Sequence, residues 1–268
     1  MRPKSRIEQK RSADMQSIEI LQSVFRWIHV VAGILWIGLL YFFNFVNGPF
    51  AATMDGDTKK KVVPQLMPRS LFWFRWGALW TWGTGVILLM LVFYHGGALF
   101  AGATQNWTLP TFVMLAVTFF GVFVYDAIMK TLGAKNLKAA VVLSFLLISG
   151  FVYLMGTWAG WSFRGYNIHV GTLFGTIMAY NVWFRIWPNQ KKIITAVRDG
   201  QAPDPAAVAL AGLRSRQNTY MSVPLVWTML NSHNSWAASW WWSVLAAIAL
   251  GWFGVSHLLK KAPKVQGF

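Results

Sequence analysis

The sequence predicts an all-α, polytopic integral membrane protein with about seven transmembrane helices in one bundle, and three observations predict it. Hydrophobic residues make up 56% of the 268-residue chain and charged residues only 12%, against roughly 25% charged in a soluble domain. Several apolar runs reach the ~20 residues that a helix needs to cross a hydrocarbon core. No stretch shows the short alternating segments of a membrane β-barrel, and no internal repeat or soluble domain is left over.

The first run, Ile20 to Phe45, contains RWIHVVAGILWIGLLYFFNF. No short apolar region with a small-residue cleavage site marks it as a signal peptide, so it is predicted as a mature helix. A basic connection follows, with Lys59, Lys60, Lys61 and Arg69, and its DGD at Asp55 to Asp57 lacks the remaining ligands of a calcium loop and reads as a turn. The second run spans Leu71 to Tyr94, and the connection after it holds no Lys or Arg. The third spans Leu109 to Met129 and ends against Lys130, Lys135 and Lys138. The fourth covers Ala139 to Trp161, and the connection from it to the fifth, Asn167 to Trp187, holds Arg164 as its only basic residue.

The long stretch PNQKKIITAVRDGQAPDPAAVALAGLRSRQ then reads as a connection with Lys191, Lys192, Arg198, Arg214 and Arg216. Within it, Pro203 and Pro205 precede AAVALAGL, which suits a solvated loop or a short helix at the membrane surface. The sixth run, Thr219 to His233, is shorter and holds Pro224; the seventh spans Trp236 to Leu259. The expected division is a basic tail over 1–17, a membrane domain over 18–260 and a C-terminal tail over 261–268. Seventeen Trp and seven Tyr suit interfacial belts.

The net charge of +16, from 24 Lys and Arg against 8 Asp and Glu, is the pattern of cytoplasmic membrane-protein loops rather than of a nucleic-acid binder. The basic connections belong in the cytoplasm, which puts the N-terminus outside. The tail residues Arg2, Lys4, Arg6, Lys10 and Arg11 oppose that placement, and a true start at Met15 would remove them. The chain has no cysteine, which excludes disulfides, iron–sulfur ligation and covalent c-type haem. Neither G-x-S-x-G, H-E-x-x-H nor a phosphate-binding glycine loop is present.

Ionisable residues inside a membrane usually face the bundle interior and mark function. With the N-terminus outside, His29, His95, His169 and His233 gather toward the outer side, and His257 lies inside beside Lys260 and Lys261. His29 sits nine residues into its segment, which at ~1.5 Å per residue is well below the headgroups. Imidazoles in a helical bundle suit haem b, whose iron takes axial nitrogens from facing helices, or copper or another transition metal. The expected cofactor set is His29, His169, His233 and His95, with His29, His169 and His233 also the candidate metal ligands. Gly33, one turn after His29, would let a ring edge approach, and Trp36 shares that face. Thr172 and Thr176 share the face of His169, and Met229 precedes His233 by one turn. Arg26 and Arg164 suit haem propionates or an anionic substrate. Arg75 and Arg185 read as anchors at inner helix ends, and Asp126 as a partner of Lys130 one turn on.

The stretches RWIHVVAGILWIGLLYFFNF, RSLFWFRWGALWTWGTG, IHVGTLFGTIMAYNVWFRIWPNQKKII and RSRQNTYMSVPLVWTMLNSH together resemble the membrane domain of the bacterial membrane-bound urate oxidase family. The resemblance runs from about Phe25 to His257. It implies oxidation of urate to 5-hydroxyisourate in the bacterial inner membrane, with electrons leaving through a c-type cytochrome. It places His29, His169 and His233 at histidines of the family's motifs, and Gln217 where a histidine is expected. In the family a cytochrome domain follows the membrane domain. This sequence ends soon after its seventh run, so a short member using a separate c-type cytochrome is expected. Two other expectations stand beside it: a non-catalytic haem-b relay or scaffold subunit of a larger respiratory complex, and a transporter with a helix broken near Pro224.

Overall fold

The computed structural model describes residues 6–102, 107–265 and 267, with the side chains of 6–14 and 235 not described. Arg2 and Lys4 lie outside the described residues, as do the side chains of Arg6, Lys10 and Arg11. Helix α1 is Arg6–Tyr41 and passes through a π-helical turn, Phe42–Asn47, into α2, Gly48–Thr53. Asp55 caps α3, Gly56–Leu88, by accepting a 2.9 Å bond from the Thr58 amide. A second π turn, Leu89–Tyr94, ends that helix. Helices α4, Leu109–Lys135, and α5, Leu137–Thr157, form a hairpin hinged at Asn136, whose side chain caps α5. Helix α6, Phe163–Tyr180, continues through a third π turn, Asn181–Ile186, into α7, Trp187–Arg198. Then come α8, Pro205–Leu230, the short α9, Ser235–Ala238, and α10, Ser243–Lys261, closed by a 3₁₀ turn, Ala262–Lys264.

Among the described residues, five helical spans are long and apolar enough to cross a membrane: Met15–Thr53, Gly56–Tyr94, Leu109–Lys135, Leu137–Thr157 and Ser243–Lys264. That is two fewer than the seven expected. The two that fall short are α6 and α8, and the reason is their place in the bundle. α6 packs against α3, α4, α5 and α8 and buries eleven of its 18 residues, among them Asn167, His169 and Thr176. A helix shielded by protein keeps polar residues that a lipid-facing helix does not, so its mean hydropathy drops.

The stretch read as a long cytoplasmic connection is mostly helix. α7 carries Lys191 and Lys192, α8 begins at Pro205, and the turn between them holds Gly200 with φ +73°. The run AAVALAGL is therefore the first part of α8 and buries Ala207 and Ala211. Pro205 stands in the first turn of α8, where its missing amide costs nothing. Pro224 sits inside the same unbroken helix, so the broken helix of a transporter is not seen. The last long helix starts at Ser243 rather than Trp236.

Each π turn carries at least one polar side chain that bonds across the bundle. Asn44 donates to Ser215 Oγ at 2.8 Å, Tyr94 reaches His169 at 3.0 Å, and Asn181 donates to Asn218 Oδ1 at 2.8 Å. The added residue per π turn rotates the following helix by about 100° relative to a regular α-helix.

α6 and α8 approach closely at Gly171, where a Cβ would run into the Thr228 hydroxyl. Gly171→Ala is expected to lower stability by about 1–3 kcal/mol through overpacking. Gly150→Ala, which meets nothing within 4 Å, is expected to be neutral or slightly stabilising. Thermal unfolding of both variants in detergent checks the pair.

Candidate functional site

His29 stands on the seam between α1 and α3, which run side by side. Its Nδ1 lies 2.9 Å from the Thr81 carbonyl and 3.2 Å from Thr84 Oγ1. A carbonyl can only accept, so Nδ1 carries the hydrogen and Nε2 carries the lone pair. Thr84 gives its own hydrogen to the Trp80 carbonyl at 2.6 Å, which leaves its oxygen free to accept. Nε2 meets no hydrogen-bond partner among the described residues. An imidazole whose Nδ1–H is fixed by a carbonyl, with Nε2 open, is the arrangement that iron or copper ligation requires. By donor chemistry, His29 fits haem b or a transition metal.

Gly33 lies against Thr81, with 3.7 Å between a Cβ placed there and the Thr81 methyl. The space beside it is therefore taken by α3. Trp36, on the same face, is fully packed at 2% exposed. Arg26 is exposed one turn before His29.

His169 is completely buried. Its Nδ1–H donates to the Gly165 carbonyl at 2.7 Å, and its Nε2 accepts from the Tyr94 hydroxyl at 3.0 Å. Trp161 covers the ring with centroids 4.5 Å apart, and Phe93 meets it edge-on. Both nitrogens are satisfied, so a metal or haem iron reaches Nε2 only if Tyr94 turns away. His29 bonds α3 at Thr81 and Thr84 while His169 bonds Tyr94, at the end of the π turn that continues it, ten residues past Thr84. Ten residues at ~1.5 Å each put these levels roughly 15 Å apart along the helix, which separates the two as ligands of one iron.

His95 and His233 are exposed, in the turns that follow Tyr94 and α8. Arg164, at the start of α6, is half-buried and its Nε has no partner. Asn167 ties that region to α8 through the Thr228 carbonyl and Ser232 Oγ. His95, His169, His233 and Arg164 therefore share one end of the bundle, with His29 some turns deeper. They do not form a ligand set: among the described residues no three His, Cys, Asp or Glu side chains come close enough to hold a metal ion. His257 is exposed near the opposite end, and Met229 is 36% exposed.

That opposite end holds a polar cluster that sequence reasoning reached only in part. Asp126 pairs with Lys130 at 2.9 Å, as the spacing predicts. It also accepts from Arg185 Nε at 2.9 Å and from Arg214 Nη2 at 2.8 Å. Arg185 is thus an ion-pair partner and not a simple anchor. Arg214 is 1% exposed instead of lying in a solvated loop, and its Nε has no partner. Tyr125 donates to Gln217 Oε1 at 2.6 Å and accepts from Asn181, which also donates to Asn218. Gln217, where a histidine was expected, is the hub between Tyr125 and Arg214. The signal for this cluster was present: Arg214, Asn218 and Ser222 recur at helical spacing, and Asp126 is the only acid from 58 to 198.

A model of the family described as Urate oxidase N-terminal matches residues 53–266, most of the chain. The match includes His95, Arg164, His169 and His233, while Arg26, His29 and Gly33 precede it. No curated protein and no solved structure is similar enough to match. A single all-helical bundle and a match over most of its length lead to one conclusion: the chain belongs to the Urate oxidase N-terminal family.

Proposed function

We propose that the protein is a multi-pass oxidoreductase of the bacterial inner membrane. It oxidises a small substrate, urate by family likeness, and passes the electrons to a separate c-type cytochrome. The observation that carries this reading is His29, an imidazole fixed through Nδ1 by Thr81 and Thr84 with its Nε2 free. The residue types suit haem b, with copper or another transition metal as the alternative. When bound, such a centre supplies one-electron steps between a two-electron substrate and a one-electron cytochrome. The chain's own part is to hold His29 in one tautomer and to offer the half-buried Arg164 at the start of α6 to an anionic substrate.

A second reading is favoured by His169. Closed in by Trp161, Phe93 and Tyr94, and bonded at both nitrogens, it leaves no room for a substrate. On that reading the protein is a haem-b relay or scaffold subunit of a larger respiratory complex.

One experiment separates them: absorption spectra of the purified protein, oxidised and dithionite-reduced, with metal analysis of the same sample. A Soret band with α and β bands sharpening on reduction is expected, and reduction by added urate distinguishes the enzyme from the relay. Stoichiometric copper without haem keeps the redox role with another centre. Protein expressed with both available and holding neither overturns both readings.

A further inference from the structure

We propose that the basic end of the bundle carries a binding site for one anionic phospholipid, between α4 and the helix formed by α6 and α7. Lys130, Arg185 and Arg214 converge on Asp126, the only carboxylate at the site. Two positive charges are left over. They are not spent internally. Lys130 is 55% exposed at its side chain and uses one of its three hydrogens on Asp126. Arg185 spends four of its five, on Asp126 twice, Tyr180 and the Phe184 carbonyl, which leaves one Nη1–H free. Free N–H groups on both cations, one helix apart, match the two non-bridging oxygens of a phosphodiester.

The surface below these cations is shaped for acyl chains. An aromatic ladder leads away from Arg185. Its guanidinium lies 5.2 Å over the Tyr180 ring, Tyr180 meets Phe184 at 5.0 Å and Phe123 at 6.1 Å, and Phe123 stacks on Phe120 at 6.5 Å. Phe120 and Phe123, on the membrane-spanning α4, and Phe184, on the π turn after α6, are each more than half exposed, at 65%, 58% and 61%. Cationic head and apolar wall are continuous. Lys135 and Lys138, exposed past Lys130 on the side away from the ladder, extend the positive charge, where basic connections meet anionic lipid. A free phosphate would use the cations and leave the ladder bare; an anionic phospholipid uses both.

The test adds dioleoylphosphatidylglycerol or dioleoylphosphatidylcholine to the full-length protein in detergent, with thermal unfolding and native mass spectrometry as readouts. The anionic lipid is expected to raise the unfolding temperature and to remain as a one-lipid adduct; the zwitterionic lipid is not. Lys130→Gln is expected to raise the half-saturating lipid fraction about fivefold, the equivalent of the roughly 1 kcal/mol that one basic residue adds at an anionic surface. Phe184→Ala tests the ladder and is expected to weaken the same adduct. Equal effects of the two lipids overturn the site. So does full competition by inorganic phosphate, or an effect of Lys264→Gln as large as that of Lys130→Gln.

Discussion

Asp126→Asn is expected to be the most destabilising single change in the bundle, by about 3–5 kcal/mol. The amide keeps the shape but removes the one negative charge that, among the described residues, pairs with Arg214, which is 1% exposed. Arg214 cannot reach water, and the neutral Gln217 at 3.3 Å is its only other hydrogen-bond acceptor among the described residues. The cost is that of a buried cation without a counter-ion rather than of a lost contact. This gives a second, sharper expectation. With Arg214→Met already in place, Asp126→Asn should cost much less, because Lys130 and Arg185 are more exposed and can be solvated. Thermal unfolding of the four proteins in detergent measures the coupling. Equal losses in both backgrounds would show that Arg214 does not depend on Asp126.

His29→Ala is expected to abolish cofactor binding and leave the helical circular dichroism unchanged. The side chain fills no core position; its only fixed bonds are to Thr81 and Thr84. Thr84→Val, which removes one acceptor of the Nδ1–H, is expected to weaken cofactor affinity by about 10–100-fold, the usual effect of losing a ligand's supporting bond. Titration of cofactor into the purified variants, followed at the Soret band or by metal content, reads both. Full cofactor in His29→Ala would transfer the assignment to another residue.

The lipid-facing helices were readable in the sequence because lipid imposes one requirement on every residue it touches. Thus the predicted runs Leu71–Tyr94 and Leu109–Met129 fall within the observed spans Gly56–Tyr94 and Leu109–Lys135. α8 was not readable in the same way. Its first half carries Arg214 and Arg216 after two prolines, which looks like a loop, and only burial against Asp126 explains a charge there. Sequence also placed four histidines toward one end, where the structure has them, with His29 deeper. It could not show that Tyr94 occupies the free nitrogen of His169, because that bond joins residues 75 apart. Nor could it show that Gln217 bridges α4 and α8 through Tyr125, 92 residues away.

The π turn at Asn181–Ile186 has a consequence for how this chain tolerates change in length. Upstream, α6 is phased to put His169 under Trp161 and Gly171 against Thr228. Downstream, the same continuous rod is phased to put Arg185 on Asp126 and Trp187 under Arg75, whose guanidinium lies 3.6 Å from the ring centre. One regular helix cannot satisfy both, and the inserted residue acts as a vernier between them. Removing a single residue there would leave a good helix and a hydrophobic chain, yet the two ends of the rod would fall out of phase by roughly a quarter turn. A variant of this chain one residue shorter in this stretch is expected to keep the ion-pair cluster or the histidine contacts, but not both in this arrangement.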